Sequence, residues 1–92
     1  MSTDESDWEH VRKIMLTRAL AGDAAAQNAM GSLTVDDGLR TLEVKLLDDA
    51  EEWFKKAAKG GHTPAVDFLE TVWPLVKQEY STKILQRLKR NK

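Results

Sequence analysis

A pattern of small residues recurs along this chain at a spacing of 39: Ala19 with Ala58, Gly22 with Gly61, and Ala26 with Ala65. Apolar residues fall into the same register, pairing Ile14 with Trp53, Met15 with Phe54, Met30 with Leu69 and Leu33 with Val72. Glycine and alanine are the hardest residues to replace where a backbone turns or two helices cross closely. Their coincidence therefore constrains the fold more tightly than matched large residues would. The pattern predicts helix hairpins, each with a glycine turn between antiparallel helices and alanines at the crossing.

Helical spacing runs through the rest of the chain, and no segment alternates apolar and polar residues for long. The expected fold class is all-α, with antiparallel helix hairpins and about five helices. Residues 1–6 read as a disordered lead-in. Ser6 or Asp7 can cap a first helix to about Ala21, with Trp8, Val11, Ile14, Met15 and Ala19 on its buried stripe; Gly22 stops it. Asp23 caps a second helix from Ala24 to about Val35, and Asp36-Asp37-Gly38 reads as a turn. A third helix lies within residues 39–59, with Leu42, Leu46, Ala50, Trp53, Phe54 and Ala57 on its apolar face. Gly60-Gly61 ends it. Thr63 and Pro64 suit the cap and first turn of a fourth helix whose apolar face holds Val66, Leu69, Val72 and Trp73. Pro74 must kink that helix or begin a last one reaching about Arg90.

With 92 residues the chain suits one domain. Apolar residues make up 41% and charged residues 32%, a globular rather than a disordered or membrane-like balance. There is no cysteine, which excludes disulfides, thiolate metal sites and cysteine nucleophiles and leans toward a cytoplasmic setting. The acidic start of the chain lacks the basic and apolar regions of a secretory signal, and no run approaches a membrane span. The net charge of -1 holds no anionic polymer over the whole molecule, although Lys83, Arg87, Lys89, Arg90 and Lys92 make the end of the chain basic. A nucleic-acid-associated regulator using that basic last helix is therefore one alternative function.

Candidate chemistry is sparse. His10 and His62 are the only histidines, and the lack of cysteine beside them argues against a zinc site. Asp48, Asp49, Glu51 and Glu52 lack the glycine and ligand spacing of a calcium loop; on a helix they form a solvated face that pairs with Lys55 and Lys56. Ser32, Thr34 and Ser81 have no nucleophile motif around them, and Gly60-Gly61 reads as a helix end rather than a phosphate loop. No catalytic residue, metal or cofactor is expected. Trp53 and Phe54 read as core, whereas Trp8 and Trp73 are candidates for an interface.

The segment Asp49-Ala50-Glu51-Glu52-Trp53-Phe54-Lys55-Lys56-Ala57-Ala58-Lys59-Gly60-Gly61-His62-Thr63-Pro64-Ala65 resembles the signature of the Sel-one-like repeat (SLR) family, a relative of the tetratricopeptide repeat (TPR). Ala26-Gln27-Asn28-Ala29-Met30-Gly31 resembles that family's first-helix segment. The match is best over residues 23–69, within hairpins spanning 7–73, and residues 74–92 would form a C-terminal capping helix. The resemblance implies a scaffold that binds another protein and carries no catalytic residues, with His62 capping its turn. It also implies that the first helices of the hairpins line the binding surface. Here they offer Gln27, Asn28, Asp67, Glu70 and Thr71 as polar contacts and Trp73 as an anchor. The expected function is a non-enzymatic protein–protein interaction module or adaptor. A narrower version is a small immunity (antidote) protein that neutralises a toxin. So few repeats also point toward a homodimer, because stacked neighbours are what bury each hairpin.

Overall fold

The computed structural model describes residues 5–90, with side chains from Trp8 onward. The described residues are helical and contain no strand. Helix α1 spans Glu5–Leu20, α2 Ala24–Thr41 and α3 Val44–Lys59. A last rod is continuous: α4 (Thr63–Asp67) passes through a π turn (Phe68–Val72) into α5 (Trp73–Arg90). The chain thus makes four rods rather than five separate helices. They form a slab of 45 × 40 × 18 Å, about two helix diameters thick. None is long and apolar enough to cross a membrane.

The two glycine turns are built alike. Gly22 and Gly61 take φ of 101° and 90°, the left-handed region open to glycine. In the first turn Ala21, Gly22 and Asp23 donate their N–H groups to the carbonyls of Thr17, Ala19 and Arg18. In the second, Gly60, Gly61 and His62 donate to Lys56, Ala58 and Ala57, the same three bonds moved by 39 residues. The expected Asp23 cap is present, its carboxylate accepting from the Ala26 N–H at 3.1 Å. At the second turn the N-cap position falls on His62 rather than Thr63, and His62 makes no side-chain cap bond.

Two boundaries differ from expectation. Residues 1–4 of the lead-in lie outside the described residues, whereas Ser6 and Asp7, expected as caps, lie inside α1. Asp36-Asp37-Gly38 is not a turn, since α2 runs on to Thr41 and ends at Leu42, a non-glycine residue at φ 59°. Gly38 serves packing instead: a Cβ there would lie 3.1 Å from Leu47 and 3.3 Å from Leu46. Close approach of α3 uses the missing side chain, and the turn moves to the next free position.

The core lies between α2, α3 and the last rod. Val35, Leu47, Ala50, Phe54, Trp73 and Tyr80 form its buried cluster, flanked by Leu39, Leu42, Phe68, Leu69, Val76 and Ile84. Phe54 stacks on Phe68 with ring centroids 4.4 Å apart and tilts against Trp73 at 5.9 Å. Burying an aromatic of this size contributes about 1.5–3 kcal/mol. Ala26, Ala57 and Ala65 are buried, small side chains where helices approach closely. Tyr80 is also buried, and desolvation, reinforced by Glu43 and Asp48 against Arg87, pushes its phenol above the ordinary value.

Pro74 neither breaks the last rod nor starts a separate one. In a regular α-helix its ring collides with the carbonyl four residues back, that of Glu70. The π turn contains Glu70 and widens the helix at that place, and the Trp73 N–H donates to the Phe68 carbonyl five residues back.

The expected stripe of α1 is only partly buried. Ala19 is covered, Met15 half so, while Trp8, Val11 and Ile14 are 50%, 44% and 43% exposed. Among the described residues α2 is the main neighbour of α1, and one neighbour covers one side of a helix.

Candidate functional site

The most elaborate surface is a groove floored by α2 and walled by α1 and α3. Its centre is an ion network. Arg12 of α1 donates from Nη1 to Asp37 Oδ2 of α2 at 3.0 Å, and Arg40, one turn along α2, donates to the other oxygen of Asp37. The Arg12 hydrogen bond holds the Asp37 carboxyl below its usual value of 3.8, against partial desolvation; the charge of Arg12 and the bond and charge of Arg40 add to the lowering. These residues meet because α2 continues as a helix through Asp37. Had the chain turned there, the Arg12 side chain would have no partner across the hairpin.

Two hollows open from this network. One, of about 600 Å³, is lined by Trp8, Glu9, Arg12, Asp37, Arg40, Thr41 and Leu46. The other, of about 390 Å³, is lined by Thr34, Asp37, Leu46, Asp49, Glu52 and Trp53. They adjoin at Asp37 and Leu46, which line both, along the groove between α1 and α3. Trp8 stands on its α1 side with the Arg12 guanidinium 5.9 Å from its ring centre. Trp53 stands on its α3 side with the Lys56 ammonium 5.1 Å from its ring. The first hollow is mixed in charge, and the second carries Asp37, Asp49 and Glu52. Two amphipathic tryptophans around a fixed polar centre suit recognition of a macromolecular segment.

The sequence-derived contact residues are divided by the structure. Gln27 is buried, and its Nε2 donates to the Ala19 carbonyl at 3.0 Å, tying α2 to the end of α1. Trp73 is 4% exposed and belongs to the aromatic core, so it is no surface anchor. Helical spacing alone does not reveal that Phe54 and Phe68 surround it. Asn28 is half-buried. Asp67, Glu70 and Thr71 are exposed together on α4 and the π turn, where the Thr71 hydroxyl donates to the Asp67 carbonyl at 2.7 Å.

Trp53, expected in the core, is instead half-buried at the groove edge. Arg12, Asp37 and Arg40 were not singled out by sequence reasoning. Asp37 and Arg40 stand three apart, a spacing that signals a helix-surface pair only where α2 runs through Asp37, and the link to Arg12 spans 25 residues and is tertiary. The acidic face of α3 pairs as helix-surface charges do: Glu51 with Lys55 at 3.6 Å and Asp49 with Lys45 at 3.5 Å, whereas Lys56 turns to Trp53. His10 is exposed, and among the described residues no three His, Asp or Glu side chains gather as a metal site would require. Comparison with protein families, with curated proteins and with solved structures finds no match to this chain.

Proposed function

We propose that the chain is a non-enzymatic protein-interaction module of SLR/TPR type, and that it receives a segment of another protein in the groove between α1 and α3. The observation that carries this reading is the groove itself, with Trp8 and Trp53 on opposite walls of a floor whose polar groups are fixed by the Arg12–Asp37–Arg40 network. The repeated three-bond turn supports the repeat assignment. The lack of cysteine fits a partner met in a reducing compartment. Affinity capture from cells with wild-type protein, Trp53→Ala, Glu52→Lys and the control Lys89→Ala, an exposed residue outside the groove lining, tests it. Captured proteins should be depleted at least tenfold by the two groove variants and retained by the control; equal capture by all four sinks the groove as the binding surface.

A second reading is favoured by one feature. Arg40 of α2 joins Lys83, Arg87 and Arg90 of α5 around a hollow of about 310 Å³, gathering cations far apart in sequence. On this reading the chain contacts the phosphates of a nucleic acid. A gel-shift titration at low salt should then detect binding that falls steeply with added salt. No shift at any salt concentration removes this reading.

A further inference from the structure

We propose that copies of this chain stack head to tail, the last rod of one copy seating on α1 of the next as α2 seats on α3 within the chain. The in-chain contact sets the geometry. Gly31 of α2 lies against Phe54 of α3, and Gly38 against Leu47. The repeat register relates α2 to the last rod and α1 to α3. Moving α2 forward by 39 residues and α3 back by 39 puts Glu70 opposite Met15, and one turn earlier Asp67 opposite Arg18. Beyond the π turn, which spends one extra residue, the place of Val35 passes to Leu75, and it falls opposite Val11.

Both faces are open in a single copy. Val11 and Leu75 are 44% and 64% exposed, and Trp8 and Ile14 stand exposed beside Val11. Arg18, Asp67 and Glu70 are exposed as well. Of the corresponding residues inside the chain, Gly31, Val35, Ala50, Phe54 and Ala57 are buried and Asn28, the counterpart of Asp67, is half-buried. The faces also match in charge and polarity: apolar Leu75 meets apolar Val11, and the Asp67 carboxylate meets the Arg18 guanidinium. Glu70 replaces Gly31 where the contact is closest, and it faces the flexible Met15 rather than the rigid Phe54 ring, so the longer side chain has room to lie aside. A second copy is the occupant that supplies both halves of this match, continuing the existing hairpin stack. Such a junction uses two different surfaces, so two copies joined by it still offer a free face at each end and assembly goes on beyond a dimer. It rests on the same 39-residue repeat as the function proposed above and shares Trp8 with the rim of the groove. Arg18 and Asp67, however, lie outside the residues lining the groove, so loss of association on changing them is distinguishable from loss of partner capture on changing Trp53 or Glu52.

Light scattering over a dilution series up to millimolar chain tests the junction. The expected result is a mass that rises steadily beyond that of two chains. Arg18→Glu alone and Asp67→Lys alone each place like charges across every junction, and each should need at least tenfold more protein to associate. Mixed in equal amounts, the two variants regain opposite charges wherever unlike copies meet. At one kind of junction the two substituted positions face each other, carboxylate against ammonium; at the other the unchanged Arg18 faces the unchanged Asp67. The high mass should then return. Circular dichroism on each variant verifies the helical fold. A wild-type mass that stays at one chain, one that saturates at two, or a mixture no more associated than its components overturns the proposal.

Discussion

Gly31 lies so close beneath the Phe54 ring that a Cβ built on Gly31 would stand 2.8 Å from the ring's Cζ and 2.9 Å from its Cε1. This contact sets how near α2 and α3 approach, and it is the point from which the aromatic cluster of Phe54, Phe68 and Trp73 is held against the hairpin. Gly31→Ala should therefore lower stability by about 1–2 kcal/mol in urea unfolding, since overpacking costs about 1–3 kcal/mol and alanine returns at most about 1 kcal/mol of helix propensity. Combining it with Phe54→Leu should cost less than the two single changes added, because the leucine vacates the space that the new methyl needs. Additive losses would mean that the two residues do not share that space.

The Arg12–Asp37 contact carries a pH signature. The folded pKa of Asp37 lies below 3.8, so between the two values the unfolded chain holds more protons and stability rises with pH. The contribution is complete above the unfolded value and is lost as pH falls through the folded one. Asp37→Asn should cost about 1 kcal/mol or less at neutral pH, because both partners keep some solvent contact. The gap between wild type and variant should close as the solution is acidified below pH 3.8. Parallel stability curves down to the lowest pH would contradict a lowered Asp37.

Gln27 distinguishes a structural from a recognition role. Gln27→Leu removes the bond to the Ala19 carbonyl and should lower stability by about 1 kcal/mol. Binding of any captured partner by the folded variant should be unchanged within about a factor of two, well below the ~1.4 kcal/mol that a tenfold change represents. A selective loss of affinity at unchanged stability would return Gln27 to the binding surface.

The Asp23 cap is an independent check on the first turn. Asp23→Ala leaves the Ala26 N–H without its side-chain partner and should cost about 1 kcal/mol in thermal unfolding. Asp23→Asn, which keeps an accepting oxygen, should recover most of that loss.

Local signals in the chain already specify an all-helical fold, the turns at Gly22 and Gly61 and the Asp23 cap, because each depends on residues within about one helical turn of one another; the buried alanines are legible through the 39-residue repeat. The Asp36-Asp37-Gly38 segment shows where local chemistry stops being decisive. Its residues favour a turn, yet contact of Gly38 with Leu46 and Leu47 keeps them helical and moves the reversal to Leu42. The same kind of long-range packing buries Trp73 against Phe54 and Phe68, turns Gln27 inward, and leaves Trp8 and Trp53 facing a groove. A helical repeat names the side of a helix that is apolar; which neighbour covers that side, and whether any does, follows only from how the rods lie against one another.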